Sequence, residues 1–187
     1  ELTLETLSGV RTLCLHLRDG VTDSVTVDMG RAVLEPGKIP VRLPGERIVD
    51  REYQVAGKEY RITCVSMGNP HCVVFCKDVA GLPLAEIGPE FETLPLFPDR
   101  TNTEFVRPID RRTLEMRVWE RGSGETMACG TGACASAVAA TLCGHTDRFE
   151  DVSVRLPGGT LSVRWLEDGM VLLTGPAEFV FKGELLV

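Results

Sequence analysis

Cys129 stands between two stretches of unlike character. Before it lies a loop of glycines and polar residues, Glu120 to Thr126; after it come Gly130, Thr131 and Gly132, then a run from Ala133 to Leu142 that is almost wholly small or apolar. That run has the composition of a buried helix, so the thiol sits where the helix begins. The first turn of a helix has unpaired backbone N–H groups and the positive end of the helix dipole, both of which favour a carboxylate or a thiolate. On that ground the thiol pKa is expected to fall below its reference of about 8.5, making Cys129 a usable base near neutral pH. It should then be the most readily alkylated of the seven cysteines. Glycines on either side of Thr131 let the backbone approach a ligand that a side chain would block.

Two other readings compete for the same residues. A free cysteine is most often a small buried hydrophobe, and that reading is kept for the other six. Gly130-x-Gly132-x-x-Ala135, with Glu150 downstream, also fits a dinucleotide fingerprint. Such a fingerprint needs a strand running straight into its first glycine within repeated βαβ units. Here a polar loop intervenes, and the flanking strands read as antiparallel.

The elements that must position this motif can be read in order. Leu2 to Thr6 alternates; Ser8-Gly9 turns the chain into Val10 to Leu17; Asp19-Gly20 is a hairpin turn; Val25 to Asp28 answers as a third strand. Gly30, Pro36-Gly37, Pro40 and Pro44-Gly45 then punctuate a segment expected to link or wrap rather than pack, with a domain boundary near Gly30. Glu52 to Val55 and Glu59 to Val65 form a hairpin about Gly57-Lys58. Two β-type runs then flank Gly68-Asn69-Pro70-His71, a sharp turn or bulge expected to expose Asn69 and His71. Leu84, Ile87, Phe91 and Leu94 recur at helical spacing. Asp99 to Val106 reads as a polar loop feeding a short strand. Leu114 to Trp119 alternates, Val152 to Leu156 and Thr160 to Trp165 make a hairpin, and Met170 to Thr174 is a strand broken by Gly175-Pro176-Ala177. Glu178 to Val187 reads as extended chain.

Composition bounds the possibilities. At 187 residues, 43% hydrophobic and 25% charged, the chain can bury a proper core. A net charge of −7 without a Lys/Arg cluster argues against nucleic acid. No apolar run has the length of a membrane-spanning helix. Seven cysteines without repeated spacing fit neither a disulfide framework nor a zinc site, because neither Cys72-x3-Cys76 nor Cys129-x4-Cys134 has a partner pair. A reducing cytoplasm is expected. The chain opens at Glu1, without Met and already in a strand-like run, so it is expected to be part of something longer.

Gly68-Asn69-Pro70-His71, Arg100-Thr101-Asn102, Glu120-Arg121-Gly122-Ser123-Gly124-Glu125-Thr126 and Ala128-Cys129-Gly130-Thr131-Gly132-Ala133 together resemble the diaminopimelate epimerases. Leu156-Pro157-Gly158-Gly159 and Thr174-Gly175-Pro176-Ala177 are similar to them too, in the same order. The resemblance implies an α+β fold in which antiparallel sheet wraps a central apolar helix in each of two pseudo-symmetric domains. It implies epimerisation of LL- to meso-diaminopimelate for lysine and peptidoglycan synthesis, with no cofactor and no metal, by a thiol and a thiolate on opposite faces of the substrate carbon. By the same resemblance Cys129 is one catalytic cysteine, assisted by Glu120 and His71. Asn69, Asn102, Glu120, Arg121, Gly130 and Thr131 bind substrate.

The family's first domain carries its own helix-start motif, Cys-Gly-Asn-Gly, and no such run occurs here. Residues 1–29 are therefore expected to be remnant strands of the N-terminal domain. Residues 30–174 would form the C-terminal domain, and 175–187 a return strand packing toward the first. The partners implied are diaminopimelate, the missing N-terminal half and a second copy, as a homodimer of the full-length form. A chain with one of the two cysteines is expected to be inactive alone. The alternatives are another isomerase of the same fold, such as a proline racemase, or a non-catalytic module that binds amino acids or anions.

Overall fold

The computed structural model describes residues 1–6 and 9–184. Its strands are β1 (Leu2–Thr6), β2 (Gly9–Arg18), β3 (Val21–Arg31), β4 (Arg51–Val55), β5 (Lys58–Ser66), β6 (Pro70–Phe75), β7 (Asn102–Asp110), β8 (Thr113–Glu120), β9 (Gly124–Thr126), β10 (Asp151–Leu156), β11 (Gly159–Trp165) and β12 (Met170–Pro176). Helix α1 (Leu84–Glu92) lies between β6 and β7, and helix α2 (Gly130–Leu142) between β9 and β10. One sheet runs β1-β2-β3-β12-β11-β10-β8-β7-β6-β5-β4, with β9 folded back on β8. The arrangement is α+β, as expected.

Most neighbours are antiparallel, but β6 pairs with β7 and β8 with β10 in parallel. A parallel pair needs a crossover, commonly through a helix. Each of the two helices lies in one of these crossovers, so the antiparallel flanks expected around α2 become a mixed sheet.

The sheet is buried on both faces where the strands are central, and the period of two sorts their side chains. Val65, Val73, Val106, Leu114, Met116 and Val118 face α2 in one core cluster. Cys64, Cys72, Val74 and Phe105 face the other way, into a cluster with Leu84 and Phe91 of α1. Helix α2 is buried along Gly132 to Ala140, and its alanines present little side chain, which lets the sheet close around it. Apolar Phe91, against Tyr60 and Phe105 in edge-to-face contacts at 5.0 and 5.4 Å, anchors the opposite core.

Three local expectations are corrected. The Pro/Gly-rich segment after Gly30 does more than wrap: Ile39, Val41 and Ile48 are buried in the α1 core. The turns set by its prolines and glycines bring those few apolar residues inward. Asp99 to Val106 is mostly strand, since β7 starts at Asn102 and pairs with β6. Strand β12 continues through Gly175 and Pro176, pairing with Val25 and Ser24 of β3, and residues 177–184 form no strand. Ser8 and residues 185–187, where a turn and the extended end were expected, lie outside the described residues. The β2–β3 hairpin turns on Asp19 and Gly20, both at positive φ. Strand β3 runs through Gly30 at φ +84°.

Candidate active site

The sheet register explains how distant residues meet. His71 on β6 lies opposite Asn102 on β7, and Val73 opposite Glu104. His71 shares the α2 face with Val73, and Asn102 and Glu104 share it with Val106. On β8, Glu120 continues the face of Leu114, Met116 and Val118. These positions converge on the first turn of α2, where Cys129 is the N-cap in extended conformation (φ −138°, ψ 108°).

Cys129 caps with sulfur: its Sγ accepts from the Gly132 N–H at 3.4 Å and lies 3.5 Å from Thr131 Oγ1. The Gly130 and Thr131 N–H groups belong to the same first turn, where helical geometry supplies no acceptor. The approach to Cys129 is fixed from outside by the β10–β11 turn, where the Gly158 N–H donates to Met127 O at 2.7 Å. A Cβ on Gly158 would lie 2.9 Å from that same oxygen, which explains the glycine.

From Thr131 the contacts run inward. Asn69 Nδ2 donates to Thr131 Oγ1 at 3.4 Å, Asn69 Oδ1 lies 3.0 Å from His71 Nε2, and His71 Nδ1 lies 2.7 Å from Glu104 Oε1. Asn69 is half-buried, but His71 is wholly buried. This overturns its expected exposure: Pro70 already begins β6, so the next side chain turns under the sheet face rather than out from a turn. Asn69, Thr131, Met67, Gly68, Arg11, Val27, Met29 and Thr6 border a cavity of about 410 Å³.

The remaining expected residues do not line this cavity. Asn102 is buried and ties two loops together, accepting from the Arg121 backbone N–H at 2.8 Å and donating to Pro70 O at 3.3 Å. The Arg121 guanidinium is exposed and donates to Asp99 O at 2.8 Å. Glu120 accepts from the Thr126 hydroxyl and is close enough to Cys129 to act on its charge. Among the described residues no three His, Cys, Asp or Glu side chains converge as metal ligands.

The charge state of Cys129 reverses the expectation. Burial, followed by the nearby Glu104 carboxylate, pushes the thiol up from its ordinary 9.0 to about 11, and Glu120 adds to the rise. The Thr131 hydroxyl and Gly132 N–H pull it down, but by less. Placement at a helix N-terminus lowers a cysteine's pKa when the sulfur is also solvated or faces a cation; here the residue is 7% exposed and faces two carboxylates.

Glu104 is the site residue that sequence reading missed. It is fully buried, and one of its oxygens, Oε2, has no hydrogen-bond partner. The only sequence signal was a glutamate at an inward position of Asn102-Thr103-Glu104-Phe105-Val106, hidden because that run was read as loop.

The family model described as diaminopimelate epimerase matches residues 63–180. A diaminopimelate epimerase from Synechococcus elongatus is 55% identical over 166 residues, covering 88% of this chain and 59% of that protein. One from Desulfitobacterium hafniense is 50% identical over 185 residues, covering 99% of this chain and 65% of that protein. The chain thus spans about three-fifths to two-thirds of the length of these relatives. In fold it is similar to a hydroxyproline epimerase from Agrobacterium vitis (TM-score 0.64, 18% identity, 94% of this chain and 56% of that one). It is also similar to a predicted epimerase from Pseudomonas aeruginosa (TM-score 0.61, 21% identity, 99% and 66%). The matched residues 63–180 take in every site residue from Asn69 to Thr131, and with half of all positions identical to its relatives, the chain belongs to the diaminopimelate epimerase family.

Proposed function

We propose that this chain carries one face of a cofactor-independent epimerase site for diaminopimelate, serving lysine and peptidoglycan synthesis. The observation that carries the reading is Cys129 at the head of α2, beside a cavity bordered by Asn69 and Thr131; the helix itself supplies no acceptor to the Gly130 and Thr131 N–H groups. The Gly130 and Thr131 N–H groups would hold the carboxylate of the reacting centre and stabilise the charge that builds there when the α-proton leaves. Asn69, Asn102 and Arg121 would engage the substrate's amino and carboxylate groups, with Glu120 orienting the amino end. His71 would assist from beneath.

The raised pKa suits one direction of the reaction. A thiolate on the far face removes the α-hydrogen as a proton and leaves its electron pair on carbon, delocalised toward the carboxylate. The Cys129 thiol then delivers its proton to the near face and becomes a thiolate. The reverse reaction exchanges the roles, and the two thiols titrate as a coupled unit. Among the described residues no cysteine lines the Asn69–Thr131 cavity, and Cys129 meets it through Thr131, whose Oγ1 is 3.5 Å from the sulfur; Cys64, Cys72 and Cys134 are buried, Cys76 and Cys143 half-buried, and Cys14 is exposed on β2.

The second cysteine would come from the part of the relatives' length that this chain does not span. In this reading residues 1–29 and 175–187 belong with that N-terminal domain, and 30–174 form the C-terminal one. Exposed Leu2, Leu4, Val10, Val21, Phe179 and Phe181 supply apolar surface for such packing. The full-length form would be a homodimer in the cytoplasm. The test is to assay epimerisation of LL-diaminopimelate by the purified chain, and again after co-expression with an upstream segment bearing Cys-Gly-Asn-Gly. Activity only in the second case is expected. Substantial turnover by the 187-residue chain alone would refute the half-site reading, and turnover of proline but not diaminopimelate would refute the substrate.

A further inference from the structure

His71 meets a hydrogen-bond acceptor at each ring nitrogen. Nδ1 faces Glu104 Oε1 at 2.7 Å, and Nε2 faces Asn69 Oδ1 at 3.0 Å. A carboxylate and an amide oxygen only accept, and an imidazole can donate from both nitrogens only as the imidazolium. Both side chains of the His71–Glu104 pair are wholly shut from solvent, so each charge has the other as its only nearby compensation.

The carboxylate is also wedged against the catalytic turn. A Cβ on Gly132 would lie 2.7 Å from Glu104 Oε1 and 3.2 Å from Cys129 Sγ. Carboxylate and sulfur therefore face each other across a glycine that keeps the space open. Glu104 Oε2 is buried with no partner. Buried carboxylates kept for stability alone are normally satisfied at both oxygens, and a half-satisfied one in a dry interior calls for another reason to be there.

We propose that Glu104 is a positioning residue of this site, holding His71 as an imidazolium whose Nε2–H is aimed through Asn69 toward the ligand. The proposal rests on the function inferred above and adds a residue that touches no substrate. The ring places a fixed positive charge behind Asn69, near where negative charge grows on the substrate carboxylate as the α-proton leaves. Glu104 keeps the pair neutral in sum, so no lone charge is buried in the empty site. The other titratable groups that feel Glu104 are Cys72 on β6 and Cys129 at the head of α2. Cys72 is pushed up by its hydrogen bond with Cys64 and by burial, and Cys129 by burial and by Glu104 itself. Both are neutral thiols at neutral pH and do not compete for the proton.

Nitrogen-15 spectra of the histidine rings in this chain test the idea, with His71→Asn used to assign the His71 signals among the three histidines. In the wild type, His71 is expected to carry hydrogen on both nitrogens, as its two acceptors require. In Glu104→Gln, which keeps the shape and loses the counter-charge, it should carry one. A wild-type His71 with a single ring proton would overturn the proposal, whether or not the variant folds; two ring protons persisting in Glu104→Gln would do the same.

The second arm uses the full-length epimerase. There Glu104→Gln should lower kcat by about 10- to 100-fold, less than the loss of a direct acid–base group, with KM held within about twofold, and Glu104→Asp should recover part of the loss. An unchanged kcat would refute the positioning role. If the unaltered full-length enzyme does not epimerise diaminopimelate, the functional reading fails, while the ring spectra still decide whether Glu104 holds His71 charged.

Discussion

The charge state of Cys129 gives the sharpest prediction, because the helix N-terminus and the burial of the sulfur pull in opposite directions. With the thiol pushed from 9.0 to about 11, the thiolate fraction at any pH below 9 is about a hundredfold lower than for an unperturbed thiol, since each pKa unit is a factor of ten. At pH 8 that leaves roughly one Cys129 in a thousand ionised, and the residue is only 7% exposed besides. Alkylation by iodoacetamide, followed by peptide mapping, should therefore label exposed Cys14 first. Labelling of Cys129 should lag at pH 7.5 and rise about tenfold per pH unit up to about pH 10. The same shift has a thermodynamic consequence. A thiol whose folded-state pKa is raised contributes stability that is fully present below the unfolded value near 9 and is lost as pH rises toward 11. For Cys129 this amounts to about 2–3 kcal/mol, from two units at about 1.4 kcal/mol each. Urea midpoints measured at pH 8 and pH 10.5 should fall less in Cys129→Ser than in the wild type. Faster labelling of Cys129 than of Cys14 at pH 7.5 would refute the argument that burial and Glu104 outweigh the helix terminus.

Two further substitutions check the packing on which the site depends. Gly132→Ala puts a methyl group 2.7 Å from Glu104 Oε1; it should cost about 1–3 kcal/mol as an overpacking change, measured by thermal or urea unfolding, and a neutral result would mean Glu104 is not seated against α2. Phe91→Ala removes a wholly buried ring from the α1 core and should cost about 3–5 kcal/mol, whereas Phe179→Ala, at a ring 76% exposed, should leave the unfolding midpoint of this chain within about 0.5 kcal/mol of wild type.

The sequence by itself determined the elements whose signals are local. Asp19-Gly20 placed the β2–β3 hairpin, Gly57 marked the β4–β5 hairpin to within one residue, its turn being Ala56-Gly57, and the Ala133 to Leu142 run placed α2, because turn chemistry and an unbroken apolar stretch need no distant partner to be read. The head of α2 was legible for the same reason: Cys-Gly-Thr-Gly before such a run marks a helix start, and Cys129 is the N-cap. What only the tertiary structure decided depends on register between strands far apart in the chain. That β6 and β7 pair in parallel, with His71 opposite Asn102, follows from the crossover through α1 and leaves no trace in either segment. It buries a histidine that looked like a turn residue and sets Glu104 beneath it. The thiol's charge was likewise beyond local reading. A helix terminus is visible in sequence, but the desolvation of its sulfur and a carboxylate arriving from another strand are not, and those two effects are the larger.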